Sequence, residues 1–202
     1  LAERHPEARA FETPYGGALE VTLPYGGRLH PVHFIHGGWG KIAAAASAQY
    51  AVDRWSPDLL VNLGACGGFK GAIERGEVVL VTRTVVYDMI EQMGDQAETV
   101  AHYATDLDLY WLREPLPMTV RRSPLVSGDR DLVPAEVPQL QAEFDAVAVD
   151  WESASIAYVA RRNGVRCLIL RGVTDLVGPD GGEIYDGTAE LFRERAKEVM
   201  TR

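Results

Sequence analysis

Three observations predict a three-layer α/β/α sandwich around a mixed central sheet. Short apolar runs alternate with helical stretches of about 10–15 residues, the pattern of strand–helix–strand units packed on a buried sheet. Residues 16–36 read as a β-hairpin, which adds antiparallel pairing and makes the sheet mixed. The 202 residues are 47% hydrophobic and 24% charged, enough apolar side chain to fill a core and far from the composition of a disordered chain. No repeat, low-complexity segment or linker interrupts the pattern, so residues 1–202 are expected to form one domain.

The elements follow in order. Gly17 to Leu23 alternates with period two, Pro24-Tyr25-Gly26-Gly27 carries turn chemistry, and Leu29 to Ile35 is the return strand. Gly37-Gly38-Trp39-Gly40 breaks it. Lys41 to Trp55 is Ala-rich, free of Gly and Pro, and is read as a helix stopped by Ser56-Pro57. Leu59 to Leu63 is a buried strand that stops at Gly64. Val78 to Tyr87 is a long Val-rich strand. Residues 88–118 give mixed signals and are read as loop with some helix. Val120 to Val126 is a strand and Pro138 to Phe144 a short helix. Ala146 to Val149 is a strand, Glu152 to Arg162 a helix, and Asn163-Gly164 its C-cap. Val165 to Leu170 is a strand ending at Arg171-Gly172. From Thr188 onward Leu191, Ala196 and Val199 mark an amphipathic helix.

Charge excludes one class of partner. Twenty Lys and Arg against 29 Asp and Glu leave a formal charge of −9, which repels a phosphate backbone, so no nucleic-acid partner is expected. Two cysteines cannot build a disulfide framework and point to a reducing, cytoplasmic setting. No run approaches the ~18 apolar residues of a membrane span, and the polar start does not read as a signal peptide. The first residue is Leu, not Met, and the chain is expected to begin inside a longer protein.

Four segments carry chemical interest. His30, His33 and His36 have a spacing that suggests a metal cluster, but on a strand His33 faces away from the other two, so no metal site is assigned. Gly64-Ala65-Cys66-Gly67-Gly68 fits a nucleophile-elbow pattern with Cys66 as nucleophile, for which only His102 follows in the chain as a base. It also fits a strand end where backbone must approach a ligand, with Cys66 as a small packing residue. Gly37 to Lys41 opens a helix and could present N–H groups to an anion, yet it matches neither a Walker A loop nor a dinucleotide fingerprint. Asp150-Trp151-Glu152 and Asp175 sit at strand ends. In an open α/β sheet they would gather with Gly64–Gly68 outside the carboxyl ends of parallel strands. Either they face a polar ligand there, or Glu152 is a helix N-terminal acid and Asp175 a loop cap.

Taken together, these segments resemble the purine nucleoside phosphorylase/nucleosidase superfamily, and within it the 5′-methylthioadenosine/S-adenosylhomocysteine nucleosidases. Gly38-Trp39-Gly40-Lys41 is similar to that branch's G-I-G-K helix opening, and Gly64-Ala65-Cys66-Gly67-Gly68 to its G-[SA]-A-G-G strand end. Gly76-Glu77-Val78-Val79-Leu80 is similar to its G-D-[IV]-V-[IV] strand, and Ser127-Gly128-Asp129 is its S-G-D. Trp151-Glu152-Ser153-Ala154-Ser155-Ile156-Ala157 matches M-E-[GA]-A-A-[IV]-A, and Arg171-Gly172-Val173-Thr174-Asp175 matches R-A-[IV]-[ST]-D. The six stand in family order from about residue 38 to the C-terminus.

The resemblance implies a nucleoside phosphorylase-like fold, a homodimer, no cofactor, and hydrolysis of the N-glycosidic bond of a purine nucleoside or thionucleoside. Asp175 would be the acid at the departing base and Glu152 would hold the ribose hydroxyls. Ala65, Cys66, Gly67, Trp151 and Asp131 would line the substrate site, with the backbone of Leu132 and Val177 reading the base edge. Water rather than phosphate is the expected acceptor, because the Gly37–Lys41 loop has no Arg or Ser. Three positions depart from the pattern: Trp151 replaces a Met, Ala65 a frequent Ser, and Asp131 a stacking aromatic. The family's first strand, and the loop after it with a water-positioning Glu, have no counterpart in residues 1–35. A futalosine-type hydrolase, a phosphorylase of the same superfamily and a nucleoside-binding protein without turnover are the alternatives.

Overall fold

In the computed structural model, which describes residues 5–185 and 189–201, the N-terminal part forms a separate antiparallel sheet. Its strands are β1 (Arg9–Thr13), β2 (Gly16–Tyr25) and β3 (Arg28–Ile35), in that spatial order. The expected hairpin turns at Gly26-Gly27, whose φ values of 57° and 76° lie in the left-handed region that a two-residue hairpin turn requires. β1 is an addition to the expected hairpin. Its residues are mostly exposed, so it lacks the apolar alternation by which a half-buried strand is recognised; Arg9 pairs with Glu20 of β2 at 2.6 Å.

Helix α1 (Gly40–Trp55) follows and ends at Ser56, which adopts the left-handed conformation with φ 46°. The remaining strands are β4 (Leu59–Phe69), β5 (Val78–Val86), β6 (Thr105–Asp106), β7 (Arg121–Ser127), β8 (Ala148–Asp150), β9 (Arg166–Gly178) and β10 (Gly181–Gly182). They form one mixed sheet in the order β10-β9-β4-β8-β7-β5-β6, and β5 also pairs with β9. That extra pairing curls β4, β8, β7, β5 and β9 into a closed barrel, with α2 (Gln96–Tyr103), α3 (Val137–Phe144), α4 (Ser153–Arg162) and α5 (Glu190–Met200) as the remaining helices. The barrel strands carry the core: Val79, Val81, Leu125, Ala148, Ile169 and Val173 meet in one fully buried cluster, with Ala157 and Ala160 of α4 packed onto it.

Two strands run past their expected ends. β4 continues through Gly64 to Phe69, and β9 continues through Arg171-Gly172 to Gly178. The glycines that signalled termination instead make room inside continuous strands. A Cβ on Gly64 would lie 1.9 Å from Arg171 Nη1, and one on Gly172 would lie 2.7 Å from Val199 of α5. β4 pairs in parallel with β9 over its whole length, from Leu59 opposite Arg166 to Phe69 opposite Val177. On its other edge β4 pairs with β8 only at Gly67 and Gly68. Among the described residues the rest of that edge has no strand partner, and Val61 and Leu63 are 49% and 50% exposed. No helix among the described residues is long and apolar enough to cross a membrane.

Candidate active site

A single β-bulge aims the first carboxylate. Cys66 of β4 stands opposite Val173, but Gly67 stands opposite Asp175, so β9 carries one extra residue at Thr174. A bulge of this kind redirects the side chains around it. The Thr174 hydroxyl lies 3.2 Å from the Cys66 carbonyl and 2.7 Å from Asp175 Oδ1. Asp175 is only 3% exposed. Burial pushes its carboxyl above the ordinary carboxylate range, the Thr174 hydrogen bond opposes this, and the nearby Glu183 charge adds to it. Gly67 lies against it, since a Cβ there would sit 3.5 Å from Asp175 Oδ2.

A buried ionic network holds the second carboxylate segment. Arg171 and Asp150 face each other at 2.8 Å with side chains 5% and 2% exposed. Arg171 also donates to Ser153 Oγ at 2.9 Å, to Asn62 Oδ1 at 2.7 Å and to the Ala65 carbonyl at 3.4 Å. Asp150 accepts from Ser127 Oγ at 2.5 Å, from the Ser153 hydroxyl, and from the Ser153 amide at 3.1–3.2 Å. Ser127 Oγ in turn accepts from the Ala154 amide at 3.0 Å. The first amides of α4 are thus satisfied by Asp150 and Ser127, and Glu152 is free for another partner although it stands at the N-cap position.

That partner is the opposite helix. Glu152 Oε1 accepts from the Gly40 amide at 3.1 Å, and Asp129 Oδ1 accepts from the Lys41 amide at 2.7 Å. Two carboxylates from the far side of the fold thereby occupy the N-terminus of α1, where the helix dipole favours negative charge. Glu152 Oε2 also lies 3.7 Å from Arg171. Burial, and then the Asp150 charge, push the Glu152 carboxyl upward. Lys41 reaches Asp88 through its ammonium group, and Asp88 Oδ2 accepts from the Asp129 amide at 2.8 Å.

The residues expected to read the base lie near the end of β9. Leu132 and Val177 are buried in one apolar cluster with Val149, Phe69 and Tyr87. Asp131 is exposed beside them, and its charge acts on Asp175. Trp151 is 38% exposed. Cys66 is buried in the core, with its thiol pushed up by that burial, so its side chain packs and does not act as an elbow nucleophile. His102, its one possible base, instead packs on Tyr103 and Tyr158. The three spaced histidines also have separate partners: His30 contacts the Tyr25 carbonyl, His33 stacks on Trp55, and the His36 amide donates to Gly17.

One expectation needs correcting. The segments do not meet outside the carboxyl ends of parallel strands. β4 and β9 are parallel, but β8 runs antiparallel to β4, and both Gly64–Gly68 and Arg171–Asp175 lie within their strands. The segments still converge because the two long strands coil around the barrel and carry their middles to the end of β8. The motifs contain Asp150, Arg171 and Asp129 but do not foretell their contacts, and Asn62 lies outside every motif. A charged residue directly after a run such as Ala146 to Val149 or Cys167 to Leu170 is a sign of a buried polar partner.

Comparison with known proteins adds an independent line. Residues 2–202 match the family model described as the phosphorylase superfamily. The chain is similar to the 5′-methylthioadenosine/S-adenosylhomocysteine nucleosidase of Maridesulfovibrio salexigens, with 31% identity over 167 residues, 76% of this chain and 72% of that protein. Its fold is similar to that of the Campylobacter jejuni 5′-methylthioadenosine/S-adenosyl homocysteine nucleosidase, with a TM-score of 0.75 at 18% identity, covering 98% of this chain and 89% of the other. A futalosine hydrolase mutant of Helicobacter pylori shares the fold at a TM-score of 0.69 and 16% identity, covering 96% and 84%.

Proposed function

The chain belongs to the phosphorylase superfamily, and on that footing we propose that it hydrolyses the N-glycosidic bond of a purine nucleoside or thionucleoside of the 5′-methylthioadenosine/S-adenosylhomocysteine kind. It is an enzyme, an N-glycosidase, as its nucleosidase relatives are. The observation that carries the reading is Asp175: a carboxyl buried at a strand bulge and held toward its protonated form.

A protonated carboxyl can give its proton to the base as the glycosidic bond breaks. The bonding pair then leaves with a neutral base instead of an anion, and general acid catalysis of this kind typically contributes about 10²–10⁴-fold. The sugar left behind has oxocarbenium character. Glu152 accepts from two ribose hydroxyls, bonds that strengthen as positive charge develops on the ring. Trp151 packs on the sugar, Ala65, Cys66 and Gly67 supply backbone to the wall, and the backbone of Leu132 and Val177 reads the base edge beside Asp131.

Water is the acceptor in this reading. Phosphate would seek the N-terminus of α1, and there the amides of Gly40 and Lys41 already serve Glu152 and Asp129. The exposed Trp39 just before α1 and Ile42 on its first turn, 81% and 84% accessible, favour a second copy of the chain as partner, so the working unit is a homodimer. Free, buried Cys66 and Cys167 suit a cytoplasmic location.

The test is chromatography of reactions with 5′-methylthioadenosine, S-adenosylhomocysteine and futalosine, each with and without phosphate. Free base and free sugar without phosphate support hydrolysis. A requirement for phosphate, with a sugar 1-phosphate as product, overturns it.

A further inference from the structure

Tyr185 lies in none of the family motifs, yet it bonds Leu132 and feels the charges of Asp131 and Asp175. The strand β10 turns the chain back beside β9, pairing Gly182 with Val177, and delivers Tyr185 over the end of the barrel. Its hydroxyl donates to the Leu132 carbonyl at 3.1 Å. One part of its ring lies on Gly182, where a Cβ would come within 2.7 Å of the ring carbons. Burial, and then the charges of Asp131 and Asp175, push its phenol up to about 12. Tyr185 remains 42% exposed, so it is not simply core.

We propose that Tyr185 is the base-specificity residue of the site, its hydroxyl holding the Leu132 carbonyl against any base that must donate to it. The proposal rests on the reading that the base lies between Asp175 and the Leu132 backbone. A purine with a 6-amino group has an N–H to give to that carbonyl and meets the phenol already bound to one of its two lone pairs. A 6-oxo purine has no such donor at that position, and its oxygen can accept from the phenol once that rotates off the carbonyl. Competition for one carbonyl therefore lowers the advantage of adenine over hypoxanthine. The ring itself supplies an aromatic surface close to the position where Asp131 stands in place of a stacking aromatic.

Calorimetric binding of free adenine and free hypoxanthine to the full chain and two variants tests this. Tyr185→Phe keeps the ring and removes the competitor, so the adenine-to-hypoxanthine affinity ratio should rise about 2- to 10-fold, the size of one net hydrogen bond. Tyr185→Ala should weaken both bases about 2- to 10-fold through loss of the ring. A Tyr185→Phe ratio that is unchanged or shifted toward hypoxanthine overturns the proposal while leaving the nucleosidase reading intact. Tyr185→Ala with undiminished affinity for both bases removes the ring contact. If neither base binds the unaltered chain and no nucleoside releases its base, the nucleosidase reading falls and takes this proposal with it.

Discussion

Glu152 stands at the N-cap of α4, yet its carboxylate caps α1: Oε1 accepts from the Gly40 amide at 3.1 Å. The usual local role of an acid at that position is taken by Asp150, whose oxygens meet the Ser153 amide. Glu152 is thereby held on the site by one backbone donor, with Oε2 turned toward Arg171 at 3.7 Å.

Glu152→Gln exchanges a charged acceptor for a neutral amide. Hydrogen bonds to a charged group contribute about 1.5–3 kcal/mol, so the preference in kcat/KM for ribosides over 2′-deoxyribosides should shrink about tenfold or more. Steady-state kinetics with matched substrate pairs measures it. A wild-type enzyme indifferent to the 2′-hydroxyl would remove Glu152 from the ribose.

Asp175 sets the sign of the pH dependence. Its carboxyl is raised by burial, and in its proposed role it acts when protonated, so kcat/KM should fall as pH rises through that raised value. Glu152 is raised by burial and then by Asp150; in its proposed role on the ribose it acts when ionised, so its loss of charge should define the acidic limb. Asp175→Asn should lower turnover about 10²-fold or more and flatten the alkaline limb, while bound nucleoside is still detected. Near-normal turnover in that variant would exclude Asp175 as the acid.

Asp150→Ala leaves the Arg171 guanidinium buried without its closest anion. Breaking a buried pair by removing one partner typically costs about 3–5 kcal/mol, a loss that urea denaturation resolves easily. A cost under about 1 kcal/mol would show that Arg171 turns to Glu152 instead, and ribose discrimination should then fall in the same variant.

Trp151→Met restores the residue type of the family motif. If the indole packs on the sugar or base, the smaller side chain should weaken adenine-nucleoside binding about 2- to 10-fold. A panel of adenine, guanine and hypoxanthine nucleosides on both proteins reads this. Tight adenine-nucleoside binding that does not change on substitution would show that Trp151 has no part in specificity.

Much of the candidate site is legible in the sequence because its residues keep local company. Asp175 follows Arg171-Gly172-Val173-Thr174, and Glu152 follows Asp150-Trp151, so each can be recognised in a short window. Tyr185 could not be found that way. Its relation to Leu132 spans 53 positions and depends on where β10 folds back. The same holds for Asp129, whose carboxylate meets Lys41 across 88 positions.

By itself the sequence determined the alternation of strands and helices, the Gly26-Gly27 turn and the α1 helix, and it marked Asp175 and Glu152 as candidate acids. These are properties of neighbours along the chain: apolar period, φ preference and helix propensity. Only the tertiary structure decided that β4 and β9 continue through Gly64 and Gly172, that β5 closes a barrel onto β9, and that Asp150, not Glu152, caps α4. A glycine in a sequence reads alike whether it ends a strand or yields space to Arg171 inside one. The difference lies in which side chain approaches from a distant strand, and that is settled only when the sheet coils and packs.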